Sequence, residues 1–299
     1  MIDNQKFIAI IFFAVFIFKF DFFFFITNDS KNCIFTFWEP KGKIPGYLQL
    51  CIKTWKKYLP EYNIIILDYK KAKLYLGKSL FSNIVCKNMT LMLQADAIRV
   101  AILKKYGGIW MDADTIISNK EFIGELKTTE LSMVGEEEIN FQYISFIYAF
   151  KNSTILNEWL KQIINNVKIY KDILLNKNNS IAWLNTWKKV NSWHYLGNGI
   201  IDNLLINVSS KKFLRIDSNS LNVFPELKFF KNSTLHPFHL YRAFYFKNGN
   251  PDLILNDTKG LIFLHNNWTP LEYKNMSKHN FLKQDILLSK LLRQILDIK

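Results

Sequence analysis

The sequence predicts an α/β fold: a mostly parallel central sheet with helices on both faces. Three observations lead there. From Asn32 onward, short β-branched or aromatic runs alternate with longer amphipathic ones, the rhythm of strand and helix by turns. Cap and turn residues stand at the junctions. Acidic residues end two of the strand-like runs, at Asp68 and Asp112, where ligands of such sheets collect.

Taken in order, the chain opens with an apolar run from Phe7 to Phe18, broken by Lys19-Phe20-Asp21 and resumed from Phe22 to Ile26. Residues 7–26 are long enough to span a bilayer, although a Lys and an Asp inside a span are costly. A membrane anchor or interfacial segment, a buried element and a signal-like sequence all stay open. No small-x-small cleavage site follows the run. Lysines after it (Lys31, Lys41, Lys43) would leave the main domain on the cytoplasmic side. Residues 1–30 are therefore read as a hydrophobic appendage and 31–299 as one domain. Cys33 to Trp38 reads as a strand, Tyr47 to Tyr58 as an amphipathic helix stopped by Pro60, and Asn63 to Leu67 as a β-branched strand. Thr90 to Tyr106 is the longest clean helix, with Thr90 as its cap. Gly107-Gly108 ends it and turns the chain into a buried strand at Ile109 to Met111. Leu131 to Val134 and Tyr143 to Phe150 read as further strands, and Ile155 to Ile169 and Leu282 to Ile298 as amphipathic helices.

Composition narrows the function classes. Of 299 residues, 49% are hydrophobic, so a large core is available and global disorder is excluded. The net charge is +14, almost all of it from lysine; arginine occurs only as Arg99, Arg215, Arg242 and Arg293. Heavy Lys, Asn, Ile and Phe usage matches AT-rich coding, so charge alone selects no partner. It remains compatible with a membrane surface, a nucleotide diphosphate or a lipid-linked acceptor. No basic run reads as a nucleic-acid stripe, and no nucleic-acid partner is expected. Cys33, Cys51 and Cys86 are odd in number and widely spaced, which points to reduced thiols in a cytosolic setting. A glycan on Asn267-Trp268-Thr269 would obstruct a candidate site patch, which argues against a glycosylating compartment. Neither a catalytic Ser-His-Asp or Cys-His grouping nor a phosphate-loop motif is evident.

The chemistry gathers around Asp112-Ala113-Asp114. A D-x-D at a strand end offers hard oxygen ligands to Mg²⁺ or Mn²⁺, with substrate phosphates completing the shell. The plainer alternative is two solvated turn carboxylates. One helix earlier, Asp96 and Arg99 stand at i and i+3 on one face; a structural salt bridge is their bland reading. Glu136-Glu137-Glu138 reads as a solvated loop, and Gly197-Asn198-Gly199 as a backbone turn.

With Phe35-Thr36-Phe37-Trp38-Glu39-Pro40, Cys51 to Lys57, Gln94 to Val100 and the D-x-D segment in that order, the chain resembles the bacterial capsular polysaccharide synthesis glycosyltransferases. These are similar in turn to the initiating mannosyltransferases of yeast and to clostridial glucosylating toxins. The resemblance is dense from Cys33 to Ile117 and returns at Ile262 to Pro270. It implies a glycosyltransferase-A type, Rossmann-like fold. The implied activity is metal-dependent transfer of a hexose from a nucleotide-diphosphate sugar to a capsule or lipopolysaccharide acceptor, with retention of configuration. It also implies the site: Asp112 and Asp114 on Mn²⁺ or Mg²⁺; Asp96 and Arg99 on the donor's sugar, ribose or phosphate; Trp38 stacked on the base, unless it is a core tryptophan; Asp68 in the nucleotide pocket. His265 would be a third metal ligand and Trp268 the residue closing over the diphosphate. Here the chain departs from the toxins' Ser-x-Trp arrangement. The expected location is the cytoplasm or the cytoplasmic face of a bacterial inner membrane. A toxin-like transferase acting on protein hydroxyls and a non-catalytic membrane-associated binding protein are the alternatives.

Overall fold

The structure is a computed structural model that describes residues 32–298, apart from 41 and 179. The apolar run at residues 7–26, and with it the expected appendage, lies outside the described residues. Among the described residues no helix is long and apolar enough to cross a membrane.

The strands are β1 (Cys33–Phe37), β2 (Asn63–Leu67), β3 (Gly108–Met111), β4 (Thr115–Ile117), β5 (Leu131–Glu136), β6 (Phe141–Ala149), β7 (Phe213–Asp217) and β8 (Leu261–Phe263). The first helices are α1 (Gly46–Tyr58), α2 (Tyr69–Leu76), α3 (Lys78–Ile84), α4 (Leu91–Tyr106), α5 (Thr154–Leu175), α6 (Ile181–Val190) and α7 (Asn198–Leu205). After β7 come α8 (Ser218–Leu221), α9 (Pro225–Phe229), α10 (Pro237–Tyr245) and α11 (Asp252–Leu255). Beyond β8 follow α12 (Leu271–Lys274), α13 (Lys278–Leu282) and α14 (Leu287–Ile295).

The central sheet runs β2-β1-β3-β6-β5-β7. Pairings β1–β2, β1–β3 and β5–β7 are parallel, and β6 alone runs against its neighbours β3 and β5. The expected mostly parallel α/β architecture is therefore present. Side chains alternate across it with period two. Cys33, Phe35, Phe37 and Trp110 join one apolar cluster with α4, α5 and α7. Ile34, Ile109 and Met111 join the other with α1, α10 and α14. Helices thus cover both faces.

Local signals explain the boundaries. Thr90 caps α4 by accepting from the Leu93 amide at 3.4 Å. Gly107 and Gly108 adopt φ of 71° and 94°, and a Cβ on Gly107 would stand 2.6 Å from the Lys151 amide nitrogen. Only glycine serves at that crossing.

The helix expected over Leu282 to Ile298 is shorter and begins only at Leu287, a separate short helix having ended at Leu282. The Leu287 amide donates to the Lys247 carbonyl at 2.7 Å, and Ile286 is extended, so a tertiary bond takes the donor that helix continuation requires. Strands β4 and β7 escaped the sequence reading.

Candidate active site

The site forms where β3 leaves the central sheet. Asp112 follows β3 and keeps its pairing, its amide donating to the Ser145 carbonyl at 2.9 Å. Two residues apart on extended backbone, Trp110 and Asp112 share a face: Trp110 Nε1 donates to Asp112 Oδ1 at 2.8 Å. That is the face α4 covers, so Arg99 reaches the same oxygen, Nη2 donating at 3.0 Å. The guanidinium lies 5.1 Å from the Trp110 ring centroid, Nη1 donates to the Ile144 carbonyl, and Asp96 Oδ1 is 3.4 Å from Nη2. The expected Asp96–Arg99 pair is formed, but it is buried, and it is tied to Asp112.

Asp114 stands in the turn just before β4, which forms a second, two-stranded sheet with β8. Trp55 Nε1 donates to the Thr115 carbonyl at 2.7 Å and the Ile117 amide to Thr54 Oγ1 at 2.9 Å, fastening β4 to α1. The Leu264 amide donates to the Asp114 carbonyl at 3.0 Å, and the Asn266 amide to Asp114 Oδ2 at 2.9 Å. Asn266 Oδ1 accepts from the buried Tyr47 hydroxyl at 2.6 Å. Sequence positions some 150 apart thereby meet at one carboxylate.

Electrostatics follow from this burial. Asp96 is raised to about 7, first by burial and then by Asp112, against the lowering effect of Arg99. Asp114 is raised by burial and by the Asp112 charge, with the Asn266 amide opposing. Among the described residues, no hydrogen-bond partner meets the buried Asp96 Oδ2 or Arg99 Nε. Two carboxylates in one turn, one of them raised by the other, form a hard-oxygen donor set that a divalent cation would relieve.

His265, the third ligand that the resemblance implies, sits beside this turn on the segment that follows β8. Among the described residues no group of three or more His, Cys, Asp or Glu side chains is arranged to hold a metal. The His265 ring packs parallel to Phe224 at 5.6 Å and 6° and lies 3.9 Å from Trp268. Burial pushes its imidazole down to about 4, so it is neutral. Trp268 is half-buried against Tyr241 and Phe238, and its carbonyl accepts from Arg242 Nε at 2.8 Å.

Other expected residues lie at strand ends with structural partners. Trp38 is half-buried after β1 and donates to the Lys43 carbonyl at 3.2 Å. Asp68 caps α2 by accepting from the Lys71 amide at 2.7 Å. Glu136 accepts from the Tyr143 hydroxyl. The Gly197 turn does more than reverse the chain: a Cβ there would stand 2.8 Å from Asp96 Oδ2 and 2.7 Å from Ile144 Cδ1. Sequence reasoning missed Trp110, Asn266 and this close approach. Only Trp110 carried a signal, its period-two relation to Asp112.

A family profile described as capsular polysaccharide synthesis protein matches residues 16–185, more than half of the chain. The chain belongs to the capsular polysaccharide synthesis protein family. Membership brings the enzyme class implied by the motifs, a glycosyltransferase. No curated protein matches this capsular polysaccharide synthesis protein in sequence. Solved structures similar to it include the PaToxG glycosyltransferase, at 18% identity and a TM-score of 0.38, covering 68% of this chain and 79% of that one. An active-site mutant of LgtC has 14% identity and a TM-score of 0.41, covering 81% and 92%. A glycosyltransferase involved in glycosylation of the major capsid of PBCV-1 has 11% identity and a TM-score of 0.33, covering 63% and 83%. Likeness of this degree adds no residue-level information.

Proposed function

We propose that this protein moves a hexose from a nucleotide-diphosphate sugar to a surface-polysaccharide acceptor, with retention of configuration and with Mn²⁺ or Mg²⁺, at the cytoplasmic face of the bacterial inner membrane. The observation that carries the reading is the pair Asp112 and Asp114, in the turn between β3 and β4, each with one carboxylate oxygen held by hydrogen bonds from other elements. Asp112 and Asp114 would hold a divalent cation, which when bound would supply Lewis-acid stabilisation of the leaving diphosphate. Arg99 and Trp110 fix Asp112, and the Asn266 amide fixes Asp114, so the carboxylates are oriented before substrate arrives. Asp96 and Arg99, buried beneath the turn, hold Asp112 from below through the Arg99 guanidinium, which supports a role for the pair in the donor site. Trp268 beside the neutral His265 makes an apolar wall suited to excluding water from a closed site. The sequence offers no evident nucleophile, which fits departure and attack on one face of the sugar.

The test is donor hydrolysis and transfer with Mn²⁺ and with excess chelator, comparing the parent with Asp114→Asn. Activity is expected to vanish with chelator and in the variant while the unfolding transition stays within a few degrees. Full activity in chelator, or in Asp114→Asn, overturns the metal reading. The anomeric configuration of the product, read by NMR, tests retention.

A further inference from the structure

A second surface, remote in sequence from the carboxylate turn, carries its own chemistry. From Ile173 to Ile201 the chain has no acidic residue, yet it holds Lys177, Lys188 and Lys189 and three of its eight tryptophans, Trp183, Trp187 and Trp193. Helix α6 lies in the middle of this stretch. Ile181, Leu184 and Lys188 fall at i, i+3 and i+7, one stripe of the helix, and all three are exposed. Ile181 is 78% and Leu184 44% exposed, and Leu175 and Trp193, on either side of the helix in sequence, are 83% and 51% exposed. Behind the stripe, Trp183 and Trp187 stack at 5.5 Å and 7°. Trp183 Nε1 donates to the Ile173 carbonyl at 3.0 Å, and Trp187 packs on Tyr170 at 5.3 Å. The aromatic pair therefore braces the helix against α5 and leaves the aliphatic tip turned outward.

We propose that this face, α6 with the turns on either side of it, is a contact for an anionic lipid bilayer surface. Aliphatic side chains at the tip supply the apolar insertion, half-exposed indoles suit the headgroup boundary, and the lysines meet the negative potential of the leaflet. The combination selects this occupant: an exposed aliphatic and indole tip in a stretch where Asp172 and Asp202 are the bounding acidic residues and every formal charge between them is positive. Exposed Ile, Leu and Leu have no use on a phosphodiester backbone, and the paired indoles stack on each other instead of standing apart for bases. The inference is independent of the proposed reaction and concerns where the protein sits.

The test is hydrogen exchange of the purified full chain with vesicles of phosphatidylcholine alone and of phosphatidylcholine with phosphatidylglycerol. With the anionic vesicles, amides of residues 173–193 are expected to slow by about tenfold, the effect of free lipid sites near ten times Kd. Ile181→Glu with Leu184→Glu, both at exposed positions, is expected to abolish the slowing there and leave the far-ultraviolet circular dichroism unchanged. Lys188→Glu with Lys189→Glu is expected to weaken it. Reading this segment alone separates it from any attachment through residues 7–26. No slowing at 173–193, or equal slowing with neutral vesicles, overturns the proposal. So does slowing without vesicles, whether caused by raised protein concentration (a second copy), an oligosaccharide or a single-stranded oligonucleotide.

Discussion

Replacing Arg99 tests the centre of the site most directly. Its guanidinium is buried, at 4% exposure, and one nitrogen serves Asp112 at 3.0 Å and Asp96 at 3.4 Å while another serves the Ile144 carbonyl. Arg99→Lys keeps the charge but replaces a planar fork with a point donor. A lysine amine centred on the carboxylates no longer reaches the carbonyl. One charge-assisted bond is lost, about 1.5–3 kcal/mol. If that loss falls on the orientation of Asp112, kcat/KM for the donor drops by roughly 10- to 150-fold. Arg99→Met removes the charge as well and leaves Asp96 buried without its counter-charge, which costs about 3–5 kcal/mol of stability. Urea unfolding and donor kinetics on both variants separate the effects. Lys is expected to lose activity with a small change in midpoint, and Met to lose both. Unchanged kcat/KM in Arg99→Lys would refute the claim that the fork orients Asp112. Equal stability of Arg99→Met and the parent would refute the buried-pair account.

Two further expectations follow from packing and charge. A methyl on Gly197 would meet Ile144 Cδ1 at 2.7 Å and Asp96 Oδ2 at 2.8 Å, so Gly197→Ala is expected to cost about 1–3 kcal/mol by overpacking and to impair donor use; calorimetry with donor kinetics checks it. Glu226 is 1% exposed, its carboxylate set against the Tyr245 hydroxyl. Tyr143, Tyr241 and Tyr245 face it, and burial raises it from 4.5 to about 8. Between those values the folded state holds a proton that the unfolded state has released. Stability should therefore fall by about 1.4 kcal/mol per pH unit as pH rises through that window. Glu226→Gln should remove this slope, and unfolding free energies of the two proteins at several pH values decide it; parallel curves would refute the assignment.

Much of the fold was legible because its signals are local. Thr90, Pro60 and the Gly107-Gly108 pair are cap and turn residues acting on their own neighbourhoods, and the β-branched run at Asn63 became a strand with the bounds its composition indicated. The misreadings have a common cause. The helix expected over Leu282 to Ile298 begins only at Leu287 because the Lys247 carbonyl takes the Leu287 amide. Strands of three residues such as β4 are too short to show a period, and β4 exists because β8 pairs with it.

The site divides along the same line. Spacing placed Asp96 and Arg99 on one helix face and Asp112 and Asp114 at a strand end, since these are local geometries, while their roles came from the family resemblance. Whether Asp68 and Trp38 act on a ligand or on the protein was not identifiable, because a cap bond and an indole bond depend on what folds beside them. The sequence by itself determined the donor chemistry, two carboxylates in one turn after an apolar strand. Only the tertiary structure decided how each is held. Period two puts Trp110 beneath Asp112 and α4 packs that face, whereas β8 returns from far along the chain to hold Asp114 through the Asn266 amide. The rings that flank His265, Phe224 and Trp268, were likewise set by the fold and not by its own residue type. A side chain's chemistry is written in its own residue, but its partners are set by contacts between segments that no local pattern encodes.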